Sequence, residues 1–456
     1  MDRRDFLRFG AAGVSAAAVI DPTDVLAQSC TTTPATTTPN VHIRLAILDF
    51  TQMLVDGASV RMLGFRDMGP NAVCATNAND PSAVCGARVP GPILRVQEGW
   101  TVRMTIENTR PETHGFEITG VPAATTVIAG GSSVTFDFVA PPAGTYIYHD
   151  NFGGRGLYRI MGLAGVLISQ PNYCGVAVPN PYGTRATPAI QAVFQALANP
   201  ASMNDPVILA RFRPGPWMTP GPWLPVTDFS QEYGRQEKIW AVTQVDPKFN
   251  DLITPSGITS STLTSNVCDN FVPRYFLMDG RSGFDLSEGD DVVIKNYIGE
   301  PTLIRSVNLG MAHHSLHIHG NHIFELSEAA LVSDVGPITN GYSYTRPSNS
   351  GAVVLRTNVL ERDVWSMWPM QRKDVLLPLE VPPDIPEGQF AAMVARGKSV
   401  EAGEEYDSQY EPFPLRYVMH CHCEMSQTAG GGNYPQGLVT HWEIRGGRRP
   451  TTLASL

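Results

Sequence analysis

From about residue 40 onward, apolar and polar positions alternate along much of the chain. The segments "TVRMTIEN" (101–108) and "SVTFDFVA" (133–140) place an apolar residue at every second position. That period is typical of a β-strand with one buried face. We find no apolar run of about 18 residues, the length that would indicate a membrane-spanning helix. The pattern therefore predicts an all-β protein with no membrane span.

A related order of signals occurs twice. Glu98-Gly99 precedes a strand and then His114-Gly115, whereas Glu288-Gly289 precedes "DDVVIKN" and then His319-Gly320, about 190 residues further on. We interpret the two blocks as one Greek-key β-sandwich domain present in two copies. The first domain is predicted at residues 40–200 and the second at residues 234–449.

One helix and one linker are predicted between the two domains. Thr187 is a suitable N-cap and Pro188 a suitable first helical residue, and the helix is predicted to end near Ala198. The linker, residues 201–233, contains "PGPWMTPGPWLP" (214–225), which cannot lie in the centre of a sheet. We interpret it as ordered and packed by Trp217 and Trp223, with a ligand-binding surface as the alternative. Residues 380–412 are predicted to be a long loop.

Composition excludes one class of function. The chain has 456 residues, a net charge of −10 and 17% charged residues, so it lacks the basic character of a nucleic-acid-binding protein. The 42 glycines and 37 prolines suit many short strands joined by turns. We therefore predict no nucleic-acid partner.

The amino terminus is predicted to be a targeting signal. Arg3-Arg4 is followed by Phe6-Leu7, an alanine-rich stretch and then Val25-Leu26-Ala27, which offers a cleavage site. This order resembles a twin-arginine export signal, predicted over residues 1–27. The alternative is a merely basic start. The resemblance implies a periplasmic or extracellular protein and, because that route carries folded proteins, suggests a bound metal.

Seven cysteines in an exported chain are expected to be partly oxidised. Cys74 and Cys85 flank a loop rich in Asn, Asp and Pro and are our preferred local disulfide. A Cys174–Cys268 pairing stays open, because connectivity cannot be derived from one sequence.

Most of the 11 histidines fall in two short segments, "HHSLHIHGNH" (313–322) and "HCH" (420–422). Successive side chains of a strand point to opposite faces. His317 and His319 should therefore share one face, as should His420 and His422, while His314 and Cys421 face the other way. A lone histidine is usually a satisfied polar residue, but two such strands side by side would form a nitrogen-lined site on one face. On the other face they would form a thiolate–imidazole pair of the kind found in blue-copper sites.

These motifs resemble those of the multicopper oxidases. "HSLHIHG" and "HCH" are similar to the last two copper motifs of that family, and "THGF" (113–116) and "GTYIYHDN" (144–151) stand where it has the first two. "VPGPILRVQEGWTV" (89–102) resembles the opening of the first cupredoxin domain. The resemblance implies two cupredoxin-like domains, copper as cofactor, a small-molecule reductant, dioxygen as electron acceptor, and a homotrimer with copper between subunits.

The resemblance also implies a ligand set in which several positions depart from the family pattern. The four pairs that hold the multinuclear copper site correspond to Glu112/His114, His149/Asn151, His317/His319 and His420/His422. His314 and Cys421 correspond to the mononuclear blue site, whose second histidine is replaced by Ser426 or, with an insertion, Asn433. Cys423, Met425 or His441 could substitute for it, and a Cys421–Cys423 disulfide is a further alternative. The predicted metal ligands are His114, His149, His314, His317, His319, His420, Cys421 and His422.

Three functions follow from this pattern. The first is a copper-binding oxidoreductase of multicopper-oxidase type with an altered mononuclear site. The second is a binding or structural protein on a copper-depleted cupredoxin scaffold, suggested by Glu112, Asn151 and Ser426. The third is an enzyme similar to the copper nitrite reductases, which Asp150 disfavours because it stands where those enzymes have a cysteine.

Overall fold

The structure of the protein is a computed structural model. It describes residues 38–69, 86–153, 156–198, 222–227, 234–258, 270–329, 353–383, 385–386, 388–389, 392–393 and 413–447. The predicted signal peptide, the Cys74–Cys85 pairing, Cys268, Trp217 and most of the predicted loop at 380–412 lie outside these residues.

The first half of the described chain forms two sheets. One has the strand order β2-β1-β4-β7 and the other β3-β9-β8-β5-β6. Their facing side chains share one core, in which Leu45 and Val102 of the first sheet pack with Phe116 and Leu167 of the second. The strands are β1 (Val41–Met53), β2 (Ser59–Asp67), β3 (Leu94–Gln97), β4 (Thr101–Asn108), β5 (His114–Ile118), β6 (Val121–Ile128), β7 (Ser133–Val139), β8 (Gly144–His149) and β9 (Ala164–Gln170).

The second half repeats this design. Its two sheets have the orders β11-β10-β13-β18-β15-β16 and β12-β20-β19-β14-β17. Their shared core includes Trp240, Ile304, Leu316, Met419 and Trp442. The strands are β10 (Glu237–Val245), β11 (Tyr275–Met278), β12 (Lys295–Asn296), β13 (Thr302–Asn308), β14 (His314–Ile318), β15 (Ile323–Ala329), β16 (Val354–Arg362), β17 (Val364–Met367), β18 (Arg372–Leu377), β19 (Leu415–Cys421) and β20 (Val439–Ile444). The predicted all-β fold with two cupredoxin-like sandwiches is confirmed.

Helices are few and short in the described residues. The one helix predicted from sequence is present with the predicted bounds, and Thr187 Oγ1 accepts a hydrogen bond from the Ile190 amide at 3.4 Å. Within the part of the chain that the structure describes, no helix is long and apolar enough to cross a membrane. The helices are α1 (Leu157–Ile160), α2 (Pro188–Ala198), α3 (Pro247–Asn250) and α4 (Gly283–Glu288), with 3₁₀ turns at Gly183–Arg185 and Glu424–Gln427.

Part of the predicted linker packs as expected. Trp223 is buried, donates its indole N–H to the Gln236 carbonyl at 2.9 Å and meets Phe194 of α2 edge to face. A buried indole gains both apolar burial and a satisfied N–H in this position. The domain and linker boundaries themselves stay a prediction.

The two sandwiches join through an apolar layer that surrounds a buried charge network. Ile147 and Val166 of the first pack against Ile239 and Val307 of the second. Within the network, Glu237 accepts from Arg95 at 2.7 Å and from Arg305 at 3.2 Å. Arg305 also contacts Asp374 at 3.2 Å, and Asp374 accepts from the Thr145 hydroxyl at 2.6 Å.

We expect Glu237→Ala to destabilise the protein strongly. It would leave the buried guanidinium groups of Arg95 and Arg305 without a shared carboxylate, and removing one partner from a buried charge network costs about 3–5 kcal/mol. Urea denaturation measures the loss. The matched control is Asp137→Ala, which breaks the exposed pair between Asp137 and Arg103 and should leave the midpoint almost unchanged. Equal losses in the two variants would contradict this account.

Candidate metal centre

The geometry of the site follows from the antiparallel pairing of β14 with β19. Leu316 lies opposite Cys421, His317 opposite His420 and Ile318 opposite Met419. Because side chains alternate along each strand, the imidazoles of His317 and His420 emerge on one face of the sheet. Cys421 and Leu316 point into the core of the second sandwich.

Four imidazoles meet on the outer face, and we call His317, His319, His420 and His422 the imidazole cluster. One nitrogen from each of His317, His420 and His422 lies within 4.8 Å of the others. The His319 ring lies 4.7 Å from that of His317, and its Nε2 is 3.3 Å from His420 Nε2. Two nitrogens bound to one tetrahedral ion at 2.0–2.1 Å are about 3.3–3.4 Å apart. The spacing therefore fits a shared metal ion.

The cluster is held in the form that binds metal. Partial loss of solvent around the rings lowers the pKa of His319 and His420, and the neighbouring imidazoles lower it further. Both rings are therefore neutral near pH 7. His317 Nδ1 lies 2.9 Å from the Asp363 carbonyl and 3.1 Å from its carboxylate. Since both Asp363 atoms are acceptors, the neutral His317 ring has its proton on Nδ1 and its lone pair on Nε2, the arrangement usual for metal-bound histidine.

The inner face carries the predicted thiol–imidazole pair. Cys421 Sγ is 3.6 Å from His314 Nδ1, and both residues are buried. The Ser315 amide donates to the same sulfur at 3.4 Å. The second thiol, Cys423, lies 3.7 Å from His313 Nδ1. Cys421 and Cys423 are both free thiols, so the alternative disulfide is not formed.

Ser426 and Asn433 are the two residues predicted at the second histidine position of the blue site, and neither takes the place of that histidine as a ligand. Ser426 is buried, but its hydroxyl donates to the Cys423 carbonyl at 2.6 Å. Asn433 is exposed and lies in the loop that follows. Among the described residues, His314 is therefore the one imidazole that the inner face presents to Cys421.

The same design occurs in the first sandwich at an offset of 200 residues. Asn108 Nδ2 donates to the Glu112 carbonyl and Asn308 Nδ2 to the Ala312 carbonyl, each at 2.8 Å. His114 and His314 then begin β5 and β14. Glu117 lies opposite His149, as His317 lies opposite His420.

This equivalence differs from the pairing that the motif resemblance implies. His114 occupies the position of His314 and contacts Asp150, which stands where Cys421 stands in the second copy. The outward positions of the first copy are instead Glu117, Thr119, His149 and Asn151, and Asn151 Nδ2 donates to Glu117 at 2.8 Å. The order of residues in "THGF" fixes no register, whereas strand pairing does, so the structure places Glu117 and Thr119 rather than Glu112 and His114 at the outward positions.

His114 is held by carboxylates on both sides. Its Nδ1 is 2.6 Å from Asp150 Oδ2 and its Nε2 is 3.4 Å from Glu112 Oε1. Burial alone lowers the pKa of His114, but these two carboxylates outweigh it and the net pKa is raised. The net effect favours the imidazolium form of His114, at the position where the second copy has an imidazole beside a thiol.

His149 faces the second sandwich of its own chain. It is almost fully buried, and burial followed by the nearby Arg159 lowers its pKa to about 3. Its Nε2 has no hydrogen-bond partner among the described residues. The adjacent Thr119 accepts from Arg372 of the second sandwich at 2.9 Å. Of the eight predicted ligands, the structure brings His317, His319, His420 and His422 together, places His314 with Cys421, and keeps His114 and His149 elsewhere.

Comparison with known proteins agrees with this geometry. The family model described as multicopper oxidase matches residues 71–172. This match covers less than a quarter of the chain, within the first sandwich. Copper-containing nitrite reductases of Neisseria meningitidis and Neisseria gonorrhoeae are 34% identical over 90 residues, which is 18% of this chain and 23% of theirs. The match thus spans about a quarter of the length of these curated relatives.

Two solved structures share the architecture. A blue copper oxidase from Nitrosomonas europaea has a TM-score of 0.51 and 16% identity, over 89% of this chain and 86% of its own. The multicopper oxidase mgLAC has a TM-score of 0.52 and 17% identity, over 91% and 89%. At this identity the similarity establishes the fold. The resemblance to multicopper oxidases predicted from the motifs is confirmed.

We expect the raised pKa of His114 to give a measurable pH dependence of stability. A group whose pKa is higher in the folded state stabilises the fold fully below its unfolded value, about 6.5, and this contribution is lost as pH rises through the folded pKa. Unfolding free energy should therefore fall above pH 6.5. The pKa values of His149 and His314 are lowered in the folded state. Their contribution to the unfolding free energy therefore grows up to about pH 6.5 and is constant above it.

Urea denaturation at several pH values measures this slope, with His114→Gln as the variant that should lack it. His441→Gln, which removes a half-buried histidine from β20, is the control that should keep the slope. An unchanged slope in His114→Gln would show that the imidazolium does not form.

Proposed function

We propose that this chain is an exported copper-binding oxidoreductase of multicopper-oxidase type that passes electrons from a small reductant to dioxygen. The observation that carries the proposal is the convergence of the His317, His420 and His422 nitrogens within 4.8 Å of one another. We assign the copper to the imidazole cluster, with His319 as the fourth donor.

The donor chemistry supports this choice. Neutral imidazoles bind copper, zinc and iron alike, and the family resemblance favours copper among these. Bound there, copper would supply the one-electron chemistry that dioxygen reduction requires. Reduction of one dioxygen to two waters takes four electrons and four protons, so the reductant must deliver four electrons for each dioxygen consumed.

The chain's own residues orient and expose the site. Asp363 fixes the His317 ring through its Nδ1 proton, and the Cys421 carbonyl lies 3.4 Å from His420 Nδ1 and orients that ring. Because these contacts already fix the orientation of the rings, metal binding to Nε2 costs little further side-chain conformational entropy. His319 and His422 are exposed, so a small reductant and dioxygen can reach the cluster from solvent.

We further propose a homotrimer, following the two-domain multicopper oxidases that the sequence resembles. The open imidazole cluster supports it, because the first sandwich of a second copy could cover this face. Light scattering on the purified protein should give three times the chain mass of 49.5 kDa. Export by a twin-arginine signal, and a periplasmic or extracellular location, rest on the sequence of residues 1–27 and belong to the same proposal.

We expect the metal-free protein to take up at least one copper per chain, and His420→Ala to lose that copper. The substitution removes the imidazole that contacts both His317 and His319. At free copper 100 times the dissociation constant, binding should stabilise the wild type by about 2.7 kcal/mol. Elemental analysis and thermal denaturation measure the two effects.

The control for that experiment is His441→Ala, which removes an imidazole paired with Glu443 at 3.1 Å on the neighbouring strand. It should bind copper like the wild type. Less than one copper per chain in the wild type, with the same thermal midpoint in the presence and absence of copper, would instead favour the copper-depleted scaffold.

Nitrite reduction is the second candidate, because the curated relatives matched over 90 residues are nitrite reductases. Asp150 disfavours it, since the carboxylate is committed to His114 and to the amides of Gly115 and Phe152. We expect the copper-loaded protein to consume dioxygen with a reduced organic dye and to produce no nitric oxide from nitrite under argon. Nitric oxide at a rate comparable to dioxygen uptake would favour the reductase.

A further inference from the structure

The side chain of Gln244, in β10, lies against His314 in a fixed orientation. Its Oε1 accepts hydrogen bonds from the backbone amides of Met311 at 2.7 Å and Ala312 at 3.0 Å. Because those two donors require an oxygen, the amide cannot be reversed without leaving both N–H groups facing an NH₂ group. Gln244 Nε2 therefore points at His314.

That contact determines where the His314 ring carries its proton. Gln244 Nε2 lies 2.6 Å from His314 Nε2. An amide NH₂ can only donate, so His314 Nε2 must accept. A ring whose Nε2 accepts a hydrogen bond is not an imidazolium, so it has a single N–H. That proton is consequently on Nδ1.

Nδ1 is the atom that faces the sulfur. It lies 3.6 Å from Cys421 Sγ, and a metal held by this pair would need the lone pair of Nδ1. Moving the proton to Nε2 would set two donors against each other at 2.6 Å. Gly310 makes the arrangement possible, because a Cβ at that position would overlap the Gln244 amide.

We infer that Gln244 holds His314 in the Nδ1-protonated tautomer and thereby closes the inner face to blue copper. Gln244 is a positioning residue that acts through His314. With Ser426 committed to the Cys423 carbonyl, the pair also lacks the second imidazole that such a centre requires. The inference deepens the proposed function and rests on it in one respect, the placing of copper at the imidazole cluster. It follows that the reductant delivers electrons to that cluster directly and not through Cys421.

The direct test is the tautomer of His314 in the metal-free wild type. Nitrogen NMR of protein labelled on histidine nitrogen, assigned with His314→Gln, should show Nδ1 protonated and Nε2 unprotonated. The opposite tautomer would overturn the inference. This readout does not depend on copper or activity, so it can fail while the proposed function stands, and the reverse is equally true.

The second test exchanges the amide for a carboxylate of the same shape. In Gln244→Glu, one oxygen keeps the two backbone amides and the other accepts from His314 Nε2, so the His314 proton should move to Nε2. The matched control is Gln170→Glu, which alters a buried amide outside this contact and should leave the His314 tautomer unchanged. An unchanged tautomer in Gln244→Glu would overturn the role assigned to Gln244.

The third test is the visible absorption spectrum of the copper-loaded protein. Copper-loaded wild type should lack the intense red-region absorption of a copper–thiolate bond, whereas Gln244→Glu combined with Ser426→His should gain it. If the double variant does not fold, the wild-type spectrum and the single-variant tautomer decide the question. A thiolate band in the wild type that disappears in Cys421→Ser would contradict the inference.

Discussion

The candidate centre depends on one strand register, the pairing of His317 with His420 across β14 and β19. A shift of one residue would exchange the faces of every side chain on the slipped strand. The imidazoles of His420 and His422 would then enter the core, and Cys421 would emerge among the imidazoles of β14. Leu316 of β14 and Met419 of β19, both fully buried, oppose such a slip, because whichever strand moved would expose its own apolar side chain to water.

The two sandwiches share one backbone arrangement but place different side chains beside the equivalent histidine. In the second, a histidine at the start of β14 faces a thiol; in the first, the equivalent histidine faces the carboxylate of Asp150. The carboxylate favours a proton on His114, so the first copy has a hydrogen-bonded imidazole–carboxylate pair at the same point of the fold. A second side chain contacts the Nε2 atom of each histidine: Glu112 contacts that of His114, and Gln244 contacts that of His314. In both copies the histidine on the inner face is therefore hydrogen-bonded, to Asp150 in the first and to Cys421 in the second.

Sequence periodicity predicted the parts of this structure that depend on local order. Alternation along "HSLHIHG" and "HCH" correctly separated the cluster imidazoles from Cys421 and His314, and the helix at 188–198 followed from its cap. The register of the first copy did not follow, because the order of motifs does not say which residue of β5 lies opposite His149. Gln244 was missed for a related reason. It lies 70 residues before His314, and one glutamine within "AVTQVD" has no local feature that indicates its partner.

The central claim is that metal occupies the outer face of these two strands and not the inner face. A crystal of copper-loaded protein, measured with X-rays on either side of the copper absorption edge, tests it most directly. The account predicts an anomalous peak bounded by His317, His420 and His422, and none between His314 and Cys421. A peak beside Cys421, with the imidazole cluster empty, would contradict it.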